Sequence, residues 1–257
     1  MFRFILVVIT LFLYLILGIP VLGIEWIISK FNQEAADYQC LRMVQAAFRF
    51  MLKIAGTEIT VIGEERIPDE PVLFIGNHRS YFDILLTYSR CKRRTGYIAK
   101  KEMLSYPLLR TWMKRLYCLF LDRDNPKEGL KTILKAIEYV KSGISICIFP
   151  EGTRNTGEEL SVLPFHSGSF KIAEKSGCPI VPISMNNTIS IFEKQFPRIK
   201  KAHVIIEYGK PIYVKIWTVN RKNSSHRTVR RLLKVPLRRT RHYSNAWLFF
   251  FLLLFSL

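Results

Sequence analysis

Between residues 58 and 208 this chain alternates short apolar runs with stretches of helical period, and that alternation limits its fold more than any other feature. The apolar runs fall at 58–62, 72–75, 96–99, 118–121, 144–149, 180–184 and 203–208, each of strand length. Helical period appears at 82–88, 107–115, 126–141 and 168–175. Asn125 before Pro126 is a helix opening, with a side-chain cap followed by a residue whose φ is already helical. Lys141-Ser142-Gly143 is a matching helix end. Such alternation predicts an α/β fold, a mostly parallel twisted sheet with flanking helices. Ligands of such sheets bind beyond the carboxyl ends of the strands. Neither G-x-G-x-x-G nor G-x-x-x-x-G-K occurs, which argues against a nucleotide fold.

Ahead of this region, residues 4–24 form a run of 21 without a charge, flanked by Arg3, Glu25 and Lys30. About 20 apolar residues suffice to cross a bilayer. No short h-region with a small-x-small cleavage site is evident, so a membrane-associated helical segment is expected. Gly18-Ile19-Pro20 could break that helix, which leaves spanning and monotopic arrangements both open. Residues 32–55 read as a second helix, with Tyr38, Leu41, Val44, Ala47, Phe48, Met51 and Leu52 at three- and four-residue spacing. The predicted organisation is an anchor with its adjoining helix at 1–55, an α/β domain at 56–215 and a tail at 216–257.

The formal net charge of +19 would suit nucleic acid or an anionic membrane. The charge is unevenly placed, and its extreme value belongs to the tail rather than to the body. Eleven Lys or Arg and no acid follow Glu207, so residues 1–209 carry 28 basic against 20 acidic groups. Between Lys215 and Arg241 there is no helical apolar stripe, and an apolar run from Leu248 closes the chain. One reading is a polybasic segment with a short hydrophobic anchor on an anionic cytoplasmic leaflet. The other is a tail that is not this domain's natural ending, such as a frameshifted stretch, which neither packs nor supplies a site residue. The abrupt change in composition after Ile216 favours the second. The five cysteines show no C-x-x-C pair and no ligand spacing with His. They fit a reducing compartment and give no reason to expect a metal.

Two strings at strand ends carry the chemistry. In Asn77-His78-Arg79-Ser80-Tyr81-Phe82-Asp83, His78 can act as a general base, with Asp83 holding the other ring N–H. Five residues turn about 500° on a helix, so the pair can meet only with His78 in a loop and Asp83 in the first helical turn. Ser80-x-x-Asp83 is equally a capping box, and Asp83 could serve only to close a helix start. In Glu151-Gly152-Thr153-Arg154, Gly152 permits a tight bend and Arg154 can fork two N–H groups onto a phosphate. The alternative is an ordinary turn. Asp122-Arg123 and Lys100-Lys101-Glu102 add cations at two further strand ends, where a surface ion pair and a solvated charge run are the plainer readings.

At these residues the chain resembles the 1-acyl-glycerol-3-phosphate acyltransferase family, within the glycerolipid acyltransferase superfamily. Asn77, His78 and Asp83 match its N-H-x4-D block, and Phe149 to Arg154 match F-P-E-G-T-R. Phe120-Leu121-Asp122-Arg123 matches most of G-x-x-F-[IL]-[DN]-R, with Tyr117 or Cys118 where the leading Gly belongs. Ile180-Val181-Pro182-Ile183 matches an apolar V-P-[IV] block. The resemblance covers about residues 1–215. It implies acyl transfer from acyl-coenzyme A or acyl carrier protein to the 2-hydroxyl of lysophosphatidate, giving phosphatidate in phospholipid biosynthesis.

By that resemblance His78 deprotonates the hydroxyl, Asp83 orients it, and no covalent intermediate, cofactor or metal is needed. Arg123, Arg154 and Lys101 would hold the acceptor phosphate, Gly152 and Thr153 would shape the turn, and Glu151 would position its neighbours. The catalytic domain is expected on the cytoplasmic side of a membrane, with an anionic bilayer and the two lipid substrates as partners and no nucleic acid. Another lysophospholipid or glycerol 3-phosphate as acceptor stays open, as does thioester hydrolysis. A non-catalytic basic membrane-binding protein would explain the charge but not His78 beside Asp83.

Overall fold

The computed structural model describes residues 1–158 and 161–213. The expectations for the tail from 216 to 257 lie outside the described residues. The chain opens with α1 (Phe2–Phe31) and α2 (Gln33–Ala55), followed by β1 (Thr57–Ile62), β2 (Leu73–Gly76), α3 (Phe82–Tyr88) and β3 (Thr95–Lys100). It continues through α4 (Pro107–Arg115), β4 (Leu119–Leu121), α5 (Pro126–Lys141), β5 (Ser145–Ile148), α6 (Gly168–Ser176), β6 (Ile180–Asn186) and β7 (Ala202–Tyr208). Short 3₁₀ turns fill several of the connections.

The seven strands form one sheet in the order β1-β7-β6-β2-β5-β3-β4. Every neighbouring pair is parallel except β6 with β7. Chain connectivity explains the exception. Parallel neighbours need a long crossover, which α3, α4, α5 and α6 supply between successive strands from β2 to β6. Between β6 and β7 the chain makes only 3₁₀ turns and returns along the same face.

Period-two alternation splits the core into two layers. Leu73 and Ile75 of β2, with Ile146 and Ile148 of β5, pack under Ile133, Ile137 and Val140 of α5 and Phe170 and Ile172 of α6. Phe74, Cys147 and Val181 point to the other face, against Leu41, Val44 and Leu52 of α2, Leu86 of α3 and Trp112 of α4. Each such fully buried side chain contributes about 1.5–3 kcal/mol relative to exposure. A one-residue slip of any central strand would exchange the two sets.

The N-terminal helix differs from its sequence expectation in two respects. It runs unbroken through Pro20 to Phe31, and Glu25 lies inside it, fully buried, with an oxygen 3.6 Å from Arg115 Nε. The acid that looked like a flank is thus drawn into the body by a partner on α4. Gly18 has a steric purpose, since a Cβ there would meet a Trp112 ring carbon at 2.6 Å. Phe4, Val7, Tyr14, Leu15, Val21 and Leu22 pack on the core, while Phe2, Ile5, Phe12, Leu17, Trp26 and Phe31 are exposed. Thirty residues rise about 45 Å, more than the hydrocarbon of a bilayer. With a mean hydropathy of 2.9 over its most apolar stretch, α1 is a membrane-associated helix that also packs on the domain. Asn32 ends it and caps α2, its side chain accepting from Ala35 N–H at 2.9 Å.

Candidate active site

Strands β2, β5, β3 and β4 are consecutive in the sheet and all parallel, so their carboxyl ends open on one edge. The four sequence strings follow those four ends, and parallel pairing therefore gathers them without a long-range loop.

His78 lies in the loop after β2, and Asp83 lies in the first turn of α3. His78 Nδ1 and Asp83 Oδ2 are 2.9 Å apart. The same oxygen accepts the backbone N–H groups of Arg79 and Ser80, each at 2.7 Å. A carboxylate oxygen that already accepts two backbone N–H groups is an acceptor, so Nδ1 carries a ring proton and donates to it. Asp83 is fully buried, while the His78 side chain retains 17% of its surface, so a ligand can reach the imidazole but not the carboxylate. Asp83 contacts the ring and also accepts the Ser80 N–H, one half of a capping box; Ser80 Oγ accepts from Phe82 N–H at 3.0 Å rather than from Asp83 N–H, which bonds the Ser80 carbonyl.

The loop is fixed on every side. Asn77 pairs its amide with both backbone groups of Met185 on β6, at 2.8 and 2.9 Å. The backbone of His78 donates to Glu151 Oε1 at 2.9 Å, and its carbonyl accepts from Asn155 N–H at 2.7 Å. Glu151 Oε2 accepts from Leu163 N–H at 2.7 Å, so this carboxylate ties three segments together. Burial pushes the Glu151 carboxyl up, and the two N–H bonds oppose that push. The His78 ring stacks on Phe149, with centroids 4.4 Å apart and planes 12° from parallel.

The remaining cations divide into held and unheld. Arg154 lies over the Tyr81 ring at 3.6 Å, donates to Tyr81 Oη at 2.9 Å, and has Glu193 at 3.6 Å. Lys101 Nζ sits 2.9 Å from Asp122 and 3.1 Å from Asp124. Arg123 is exposed and reaches the turn around Gly152, its Cζ 3.5 Å from where a Gly152 Cβ would stand. Gly152 has φ 72, a left-handed backbone that favours glycine. Thr153 is exposed on that turn. Thus all eight expected site residues lie along one edge, and His78, Asp83 and Glu151 are joined by hydrogen bonds.

Ahead of Arg123, Tyr117 stands where the third block usually has Gly, and its φ is 59. A left-handed non-glycine costs about 1–2 kcal/mol. Offsetting bonds come from its hydroxyl, which donates to buried Asp37; Asp37 also takes Arg115 at 2.7 Å and Arg94 at 3.3 Å. Burial, reinforced by Asp37, pushes the phenol up to about 12, so it stays a donor. The backbone turn survives the loss of glycine because α2 supplies an anchor for the new side chain.

Sequence reasoning missed several contributors. Arg79 is buried and donates to the carbonyls of Glu158 and Gly157 at 2.6 and 2.7 Å, pinning the segment beyond the turn. Glu193 accepts from Tyr81 N–H at 2.8 Å and faces Arg154. His166 stands by Gly152, with Nε2 3.0 Å from the same Cβ position. Phe149 was visible inside the F-P-E-G-T-R block, whereas Glu193 and His166 sit in stretches without a motif.

Residues 58–186 match the family model described as acyltransferase. The chain is 31% identical over 182 residues to the 1-acyl-sn-glycerol-3-phosphate acyltransferase of Saccharomyces cerevisiae, covering 70% of this chain and 59% of the yeast protein. Identity to the Cocos nucifera protein of the same name is 35% over 182 residues, 68% of this chain and 56% of that one. The chain thus spans less than two thirds of the length of these two relatives. A probable member from Mycoplasma pneumoniae is 28% identical, with 79% of each chain covered. The crystal structure of the 1-acyl-sn-glycerophosphate acyltransferase of Thermotoga maritima superposes with a TM-score of 0.78 at 23% identity, over 93% of this chain and 95% of that one. The chain belongs to the acyltransferase family.

Proposed function

We propose that this protein transfers a fatty acyl group from an acyl thioester to the 2-hydroxyl of lysophosphatidate, giving phosphatidate in phospholipid biosynthesis. The observation that carries this reading is the 2.9 Å bond between His78 Nδ1 and buried Asp83, which in the neutral ring leaves Nε2 as the base of a partly exposed side chain. Nε2 takes the hydroxyl proton as the oxygen attacks the thioester carbonyl, and Asp83 stabilises the imidazolium that forms. The new C–O bond replaces the C–S bond, and the imidazolium returns its proton to the leaving thiolate. Glu151 positions the His78 backbone, and Arg123 binds the acceptor phosphate. Arg154, held by Tyr81 and Glu193, sets the far wall of the turn that Gly152 and Thr153 form. Lys101, paired with Asp122 and Asp124, steadies the Arg123 turn more than it binds substrate. The names of the relatives support lysophosphatidate as the acceptor, and the exposed apolar face of α1 suits substrates that stay in the bilayer. Acyl-coenzyme A or acyl carrier protein would bring the acyl group to a domain on the cytoplasmic face of an anionic membrane.

The test is an assay of the purified full chain with lysophosphatidate and acyl-coenzyme A or acyl carrier protein, resolving products by mass. Phosphatidate made in step with thiol release is expected. Free fatty acid released without acceptor would assign hydrolysis instead, and product only from an acceptor lacking phosphate would remove the lysophosphatidate reading.

A further inference from the structure

Two basic side chains face Gly152 without a side-chain hydrogen bond or ion pair among the described residues. Arg154 is engaged by Tyr81 and Glu193, and Lys101 by Asp122 and Asp124. Arg123 and His166 have no such partner. A Cβ on Gly152 would stand 3.0 Å from His166 Nε2 and 3.5 Å from Arg123 Cζ, so imidazole and guanidinium both border the Gly152 turn. Backbone bonds hold His166 there, its N–H donating to Pro150 at 3.0 Å and its carbonyl accepting from Ser169 at 3.2 Å. Gly152 follows Glu151, whose carboxylate holds the His78 N–H, so this glycine is one residue from the contact that sets the base.

An imidazolium and a guanidinium on the same turn repel each other, and a phosphate bridging them turns repulsion into charge-assisted bonds. The guanidinium offers a fork and the imidazole a single N–H, which together suit a terminal phosphate with several free oxygens. We infer that His166 binds the acceptor's phosphomonoester together with Arg123, and that this pair makes the headgroup a requirement for acyl transfer. This rests on the acyltransferase reading above. A phosphate of coenzyme A has the same chemistry, and the experiment separates the two sources.

The full chain is assayed in detergent as wild type, His166→Ala and His166→Lys, with lysophosphatidate and with monoacylglycerol, which lacks the phosphate. His166→Ala should raise the KM for lysophosphatidate about tenfold or more, the worth of one charge-assisted bond. The KM for acyl-coenzyme A and the slow rate on monoacylglycerol should stay unchanged, and His166→Lys should recover most of the loss. An unchanged acceptor KM, an equal loss on monoacylglycerol, or a rise confined to the acyl donor would overturn the assignment. If the wild type transfers no acyl group, the acyltransferase reading fails on its own, and calorimetric titration with lysophosphatidate still decides this one. Binding about tenfold weaker in His166→Ala supports the pair, and equal binding rejects it.

Discussion

The loop after β2 and the turn after β4 open on the same edge of the sheet and are built in opposite ways. Around His78, both backbone groups, the ring nitrogen and the ring face all have protein partners. Around Arg123, the backbone is steadied through Asp122 and Lys101, but the guanidinium is exposed and unpaired among the described residues. A group that moves a proton works best when its geometry is set in advance, because reorganisation during the reaction costs rate. A group that captures an anion works best when no protein carboxylate already neutralises it. On the proposed function, the contrast divides chemistry from capture. Arg154, which sequence reading alone would make the phosphate clamp, falls on the preorganised side through Tyr81 and Glu193.

This division breaks most visibly at Asp83. Asp83→Asn should cut turnover by about 10²–10⁴, because a neutral amide oxygen in place of Oδ2 no longer stabilises the imidazolium that forms in the reaction. It should also lower stability by about 1–2 kcal/mol, since two buried backbone N–H groups exchange a charged acceptor for a neutral one. Scanning calorimetry alongside steady-state kinetics reads both, and a stability loss with full activity would leave Asp83 only its capping role. Next in size is Glu151→Gln, expected to lower kcat about tenfold through the freed His78 loop while leaving acceptor KM alone. A changed KM with normal kcat would move Glu151 to the capture side.

The two arginines sharpen the comparison further. Arg123→Ala should raise the acceptor KM about tenfold or more, with kcat and melting unchanged. Arg154→Ala should raise it only a few-fold and should lower stability by about 0.5–1 kcal/mol, since it unpairs Glu193. The reverse order of KM effects would contradict the division into held and unheld cations. Smallest is Gly152→Ala, which should cost about 1 kcal/mol for its left-handed backbone and disturb acceptor binding by crowding His166 and Arg123.

Much of this was legible in the residues. Strand and helix limits came out within a few positions because alternating apolar residues, Asn125-Pro126 and Ser142-Gly143 are local signals. The His78–Asp83 contact was readable because it closes within one loop and one helical turn. The parallel sheet then made convergence of the four strings predictable from topology alone. What stayed hidden depends on partners far along the chain. Glu25 looked like the end of the apolar helix, yet Arg115 on α4 lets α1 continue past it. Tyr117 stands at one of the two positions read for that block's leading Gly, and Asp37 on α2 supports it in the glycine conformation. Glu193 and His166 have no pattern around them, and only the folded turn brings them to Arg154 and Gly152.

The central claim is that His78, set by Asp83, is the base for acyl transfer. The most direct measurement is the single-turnover rate of phosphatidate formation by His78→Ala, at saturating lysophosphatidate and acyl thioester, on protein whose melting matches the wild type. The rate should fall by about 10²–10⁴ while both substrates still bind. A folded His78→Ala protein that makes phosphatidate at the wild-type rate would contradict the account.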